Sequence, residues 1–152
     1  SAAMTPYDMI KAHLDTAAPF AAHVGVKLLK IGDGTASAEL VQRHETSNHI
    51  GTQHAGAMFT LGEAASGAAM AGAIAPGIMD MRPVAAMGQI TFKKIAEGTL
   101  TAHAETSRPG AELLTALQED GKVAFDVAVD IQNEAGETVV EMQVNWHVSA
   151  KR

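Results

Sequence analysis

The chain has 152 residues, 47% of them hydrophobic and 18% charged, the size and balance of one globular domain and too apolar for a disordered segment. Its formal net charge of −6 argues against nucleic acid or an anionic membrane as the principal partner. It has no cysteine, which excludes thiol catalysis, cysteine metal sites and disulfide scaffolding together and makes a reducing cytoplasm the expected setting.

The N-terminus lacks a basic segment followed by an apolar core, so no signal peptide is expected, and Ser1 to Ala3 read as a cloning remnant ahead of Met4. Thr5-Pro6 has the form of a helix cap followed by proline in the first turn. Tyr7, Ile10, Lys11 and Leu14 then give a short amphipathic helix that ends before Pro19. Strands are predicted over Val24 to Ile31 and Thr35 to Val41, joined as a hairpin by Gly32-Asp33-Gly34.

A polar loop follows, carrying Asn48, His49, Gln53 and His54, and runs into a segment of Ala, Gly, Met, Leu and Phe that stops at Ala75-Pro76-Gly77. A helix that is apolar all round has no face to give to water and belongs inside the molecule. Its length admits a membrane span, but Glu63, Pro76 and the weakly hydrophobic Ala and Gly residues argue against one.

Val84 to Lys93 reads as a third strand, with Ile90 and Phe92 on one face and Gln89, Thr91 and Lys93 on the other. Thr99 to Thr106 is the fourth strand. Pro109 to Asp120 is a short helix with Leu113, Leu114 and Leu117 inward and Gly121 as its stop. Val123, Phe125, Val127, Val129 and Ile131 share a face of the fifth strand, and Val140, Met142, Val144, Trp146 and Val148 a face of the sixth, across a turn at Asn133 to Gly136. Hairpin-linked strands and one long buried helix predict a single α+β domain over 1–152, an antiparallel sheet wrapped around that helix.

Between Ala55 and Met79 the only charged residue is Glu63. A carboxylate inside an apolar helix costs several kcal/mol unless it is paired, hydrogen-bonded or protonated, which marks Glu63 as a candidate nucleophile or general base. The amides near Ala55, Gly56 and Ala57 at the helix N-terminus would form an oxyanion hole, with Asn48 or Gln53 orienting substrate or water. Those parts describe attack on an ester or thioester. His54 and Glu63, nine residues apart, fall on opposite sides of a regular helix, about 13 Å apart along its axis. They could meet only across a two-fold axis between subunits.

The string Asn48-x-x-Gly51-Thr52-x-His54-Ala55-Gly56-x-x-Phe59-x-Leu61-x-Glu63 resembles the signature of hotdog-fold acyl-CoA thioesterases of the phenylacetic-acid-pathway type, within the 4-hydroxybenzoyl-CoA thioesterase superfamily. The resemblance implies a hotdog fold, with the six-stranded sheet around the central helix. It places Glu63 on the catalytic carboxylate, Asn48 on the residue that orients water or the thioester, Ala55 on the oxyanion-hole amide and His54 on the loop histidine. Where the family carries Gly, this chain has Ala55. The family needs no metal or cofactor, coenzyme A being part of the substrate, and its dimers or dimers of dimers place the sites at the interface.

Gln53, Gly56 and Ser66 are candidates for touching substrate, and Lys93, Lys94 and Arg108 for holding the phosphates of coenzyme A. Each has a plainer reading: Ser66 as small packing, Asn48 as a turn residue, His54 as loop support and the basic residues as solvated charge. Ala65-Ser66-Gly67 lacks the first glycine of a nucleophile elbow, and the spacing of His49 and His54 does not suit a metal. Met58, Phe59, Met70, Met79, Met81 and Met87 suggest a soft apolar pocket or plain core. The rival functions are a hotdog protein that binds acyl-CoA without hydrolysis, and a hydratase or dehydratase acting on a related thioester.

Overall fold

The computed structural model describes residues 4–151; the expected cloning remnant lies outside them. The first helix, α1 (Pro6–Ala17), begins in a capping box: the Thr5 hydroxyl accepts from the Asp8 N–H while the Asp8 carboxylate accepts from the Thr5 N–H. The chain then departs from the predicted strand at Val24. Pro19 opens a second helix, α2 (Pro19–Val24), and Gly25 closes it at φ 100°, its N–H donating to the carbonyls of Ala21 and Ala22. Proline at the start and glycine just past the end is the usual asymmetry of a helix, and here it overrides the strand-like run that follows.

Strands β1 (Lys27–Gly32) and β2 (Thr35–Leu40) form the expected hairpin across Asp33-Gly34, with Gly34 in the left-handed region. The long helix α3 (Ala55–Ala73) ends before Pro76, which sits in a 3₁₀ stretch over Ala75–Asp80. Then come β3 (Met81–Phe92), β4 (Leu100–Thr106), helix α4 (Gly110–Asp120), β5 (Lys122–Gln132) and β6 (Thr138–Ala150). All pairings are antiparallel, in the order β1-β2-β4-β5-β6-β3.

The sheet wraps α3, and the alternating residues read from the sequence point inward. Leu40, Leu100, Val127, Ile131, Val140 and Val144 are buried against Leu61, Ala65 and Ala69 of the helix. Small residues on α3 set how closely the layers approach. A Cβ on Gly72 would collide with the Gly32 backbone carbonyl, and one on Gly62 with the Met142 sulfur. Overpacking of this kind costs about 1–3 kcal/mol or more, because a backbone carbonyl cannot rotate aside.

The two edges of the sheet differ. Strand β1 is short, carries Lys27 and Lys30 and has an irregular register between Leu28 and Lys30, all features that blunt an edge. Strand β3 is 12 residues long, with Val84, Met87 and Phe92 exposed. Register sets Ile90 and Phe92 opposite the inward-facing Met142 and Val140, as the predicted shared face requires, but β3 shows no alternation of burial: Ile90 is half-buried and Phe92 is 46% exposed. As the last strand, β3 lies past most of the cover that α3 provides.

Candidate functional site

The loop before α3 is held by its own side chains. The Asn48 Oδ1 accepts from the N–H groups of Ile50 and Thr52, and its Nδ2 donates to the Thr52 hydroxyl and the Gln53 carbonyl. Both lone-pair directions and both amide hydrogens are therefore engaged within the loop. The Asn48 side chain thus shapes the turn while lining the cavity at the helix N-terminus, and it reaches a water or substrate only by giving up one of these bonds. Gly51, at φ 79°, supplies the left-handed position at the tip.

His54 is the N-cap of α3. Its Nδ1 accepts from the Gly56 N–H at 2.8 Å, so the ring carries its hydrogen on Nε2. The expectation that Gly56 contributes an amide to substrate is corrected by the same bond, because that N–H already has a partner. The Ala55 N–H, at the first helical position, has none among the described residues, and Ala55 lines a cavity. Among the described residues none other than glycine has positive φ, so the methyl of Ala55 obstructs no special backbone conformation.

That cavity has a volume of about 390 Å³ and is lined by Asn48, Gln53, Ala55, Met58, Lys93 and Lys94, among others. Gln53 is buried, donates from Nε2 to the carbonyls of Leu40 and Gly98, and leaves Oε1 without a partner. A buried acceptor left unpaired costs about 1–3 kcal/mol, so Oε1 is the one polar atom here that would gain from a donor. Lys94 is paired to Glu137 at 2.6 Å and Lys93 to Glu141 at 3.5 Å, both in exposed, solvent-screened pairs that a stronger anion can displace.

Glu63 lies elsewhere. Eight residues along α3 from Ala55, about 12 Å, it lines a second cavity of about 350 Å³ with Ala18, Ala21, Leu28, Gly67 and Trp146. Burial alone pushes its carboxyl above the ordinary value, with no partner to offset the desolvation. This is the one carboxyl group so displaced among the described residues. Within one chain, then, the carboxylate and the helix N-terminus open into different cavities.

Three further expectations are corrected. Ser66 is fully buried: its hydroxyl donates to the Glu63 carbonyl at 2.7 Å and accepts from the Trp146 indole N–H at 3.0 Å, so it supports the core and does not face substrate. Arg108 pairs with Glu112 at the far end of β4, roughly 20 Å along the strand direction from Lys93, so one phosphate site in a single chain cannot include both ends. The proposed soft pocket of Met58, Phe59, Met70, Met79, Met81 and Met87 does not assemble. Met70 lines the Glu63 cavity and Met58 the loop cavity, while Met79 and Met87 are more than half exposed.

What the sequence reading missed is the wall around Glu63. In the sequence Trp146 shows only as an inward strand residue, and nothing but the bracketing Pro19 and Gly25 marks α2. A wider depression, about 800 Å³, lies on the outer face of the sheet among Lys30, Ser37, His103, Asp130 and Glu141. It is an open groove between solvated side chains, remote from Glu63, and no cluster that could hold a metal occurs among the described residues. Nor is any described helix long and apolar enough to cross a membrane.

Residues 7–148 match the model of a family described as a domain of unknown function, DUF4442. The chain belongs to the DUF4442 family. No curated protein sequence matches this DUF4442 chain. Among solved structures, a Pseudomonas aeruginosa protein of unknown function, named a probable thioesterase, is 21% identical with a TM-score of 0.82 and 97% of each chain covered. A hypothetical thioesterase protein from Streptococcus pneumoniae, solved with coenzyme A, is 20% identical at a TM-score of 0.70, covering 93% of this chain and 98% of that one. A glutamine-to-alanine variant of a Staphylococcus aureus thioesterase enzyme is 18% identical at 0.72, covering 87% and 99%. At such identities the likeness shows the fold: this DUF4442 domain is a hotdog, as the sequence resemblance implied.

Proposed function

We propose that this protein is an acyl-CoA thioesterase, hydrolysing a thioester to a free acid and coenzyme A, and that it works as a two-fold dimer or a dimer of dimers. The observation that carries the reading is Glu63, an unpaired, half-buried carboxylate whose affinity for a proton is raised by burial, facing a cavity from a helix with no other charge. Such a group takes a proton from water, or attacks a carbonyl, more readily than a solvated carboxylate. In this reading the Ala55 N–H, at the positive end of the α3 dipole, polarises the thioester carbonyl. His54 fixes that end of the helix, and Asn48 fixes the loop.

The Ala55 amide of one subunit and Glu63 of the other form one site, because a two-fold axis is the simplest operation that unites parts held about 12 Å apart on one rigid helix. The long β3 edge, with exposed Val84, Met87 and Phe92, supports pairing there, since an unprotected apolar edge is a template for another strand. Exposed Lys93 and Lys94, beside the helix N-terminus, would hold the phosphates of coenzyme A by exchanging their glutamate partners. The Staphylococcus aureus thioesterase has been varied at a glutamine and at a glutamate fifteen positions apart, the separation of Asn48 and Glu63 here.

Free-thiol release from a panel of short, medium, long and aromatic acyl-CoAs tests the reading. Wild type is expected to turn over at least one class, and Glu63→Gln to lose about 100-fold or more in kcat. Wild type that binds acyl-CoA without releasing thiol would instead establish the non-hydrolytic binding protein. The separation of the two half-sites within one chain favours that reading for any monomeric form.

A further inference from the structure

The cavity beside Glu63 has a composition that narrows the acyl group. One side is α3, where Ala64, Gly67 and Ala68 present almost no side chain. The opposite side is the α1–α2 corner, where Ala17, Ala18, Ala21 and Ala22 do the same. These rows of small residues, with Leu14, Val26, Leu28, Met70 and Pro83 completing the lining, leave a slot. Trp146 forms its floor, and that ring cannot swing away because its indole N–H is held by the buried Ser66 hydroxyl. Gly67 lies directly over the indole: a Cβ there would sit 3.3 Å from Cζ2.

The only charged residues lining the slot are Asp15 and Glu63. Asp15 is already paired to Lys11 at 3.0 Å, and no cation lines the wall. An anionic acyl group would thus enter beside a carboxylate with nothing to compensate its charge, whereas an apolar one would remove water from apolar surface. The volume of about 350 Å³ equals that of roughly a dozen liquid waters and admits an acyl group of roughly ten non-hydrogen atoms, near the lower limit of ligand pockets.

We infer that this slot between α2 and α3 is the acyl site, that it selects uncharged apolar acyl groups of short to medium length, and that Ala18, Ala21 and Gly67 set the length limit. The inference rests on the thioesterase reading for the identity of the ligand, but the slot can be tested without turnover. The probes are alkyl thioethers of coenzyme A with butyl, hexyl, octyl, dodecyl and hexadecyl chains, which cannot be hydrolysed, together with a thioether ending in a carboxylate. Binding is measured by calorimetry on wild type, Ala21→Leu and Ala18→Leu.

In wild type, affinity is expected to rise about fourfold per methylene, the ~0.8 kcal/mol of a buried CH2, up to about octyl, and then to level or fall. The carboxylate-ended thioether is expected to bind at least tenfold more weakly than octyl. Either leucine variant is expected to move the optimum to a shorter chain, weakening octyl at least tenfold more than butyl. If one variant does not fold, as judged by its melting transition, the other carries the test. Affinity independent of chain length in wild type, or a leucine variant that weakens every chain equally, would overturn the inference. Length-dependent binding without thioester cleavage would remove the hydrolase reading and keep the slot. Cleavage with length-independent binding would do the reverse.

Discussion

The two cavities along α3 contrast in almost every physical property. The one at the helix N-terminus has backbone amides, a saturated asparagine loop, an unpaired glutamine oxygen and two exposed lysines. The other, about two turns further on, is walled mainly by alanine, glycine, aliphatic side chains and a held indole, around one unpaired carboxylate, Glu63, with Asp15 paired to Lys11 at its rim. One suits developing negative charge, the other an apolar chain beside a base. The contrast teaches that this helix carries two halves of a chemistry, separated because a helix cannot bend back on itself within eight residues.

The sharpest way to break that division is to remove one N–H. Proline is accommodated at the first helical position, and His54, at φ −70° and ψ 139°, already has the backbone that precedes proline. Ala55→Pro therefore deletes the amide hydrogen while keeping the helix. It is expected to lower kcat by about 10²–10³-fold with the far-UV spectrum unchanged. Undiminished turnover would place the oxyanion hole elsewhere.

Pairing that variant with Glu63→Gln asks whether the halves come from different subunits. Each variant alone leaves no intact composite site, but a mixed dimer has one good site of its two. Co-expression in equal amounts is expected to recover about a quarter of wild-type activity, because half of the dimers are mixed and each has half its sites. No recovery, from a sample shown to contain mixed dimers, would put both halves in one subunit.

The floor of the apolar half can be loosened without touching the polar half. Ser66→Ala leaves the Trp146 indole N–H buried without its acceptor, and is expected to lower stability by about 1–3 kcal/mol in urea unfolding. Activity should remain within a few-fold, since the serine hydroxyl does not face the cavity.

The smallest effect concerns Glu63 and pH. Its carboxyl titrates higher in the folded chain than in the unfolded one, so the folded state takes up a proton more readily. Stability from this group is intact in acid and is lost as pH rises from the ordinary carboxylate range through the raised folded value. Glu63→Gln, which cannot ionise, is expected to melt higher than wild type at neutral pH, with the gain vanishing near pH 4. A variant less stable than wild type at neutral pH would mean that the carboxylate has a partner.

Much of this protein is set by its sequence alone. Periodicity marks β5 and β6 because each buries one continuous face, and an apolar run with one charge marks α3 because such a helix has nowhere to go but inward. The Asp33-Gly34 turn and the Thr5 cap are local chemistry, decided within four residues. Glu63 stands out from composition for the same reason: its cost is visible without coordinates.

Only the tertiary structure decided the rest, because it depends on residues distant in sequence meeting in space. Ser66 is support and not substrate contact since Trp146, 80 positions away, claims its hydroxyl. Arg108 and Lys93 part company because strand register puts them at opposite ends of the sheet. The slot beside Glu63 needs α2, whose alanines and phenylalanine carry no clear periodicity over six residues, folded back against glycine positions on α3. Spacing along a chain fixes what one element can present. Packing between elements fixes what that presentation encloses.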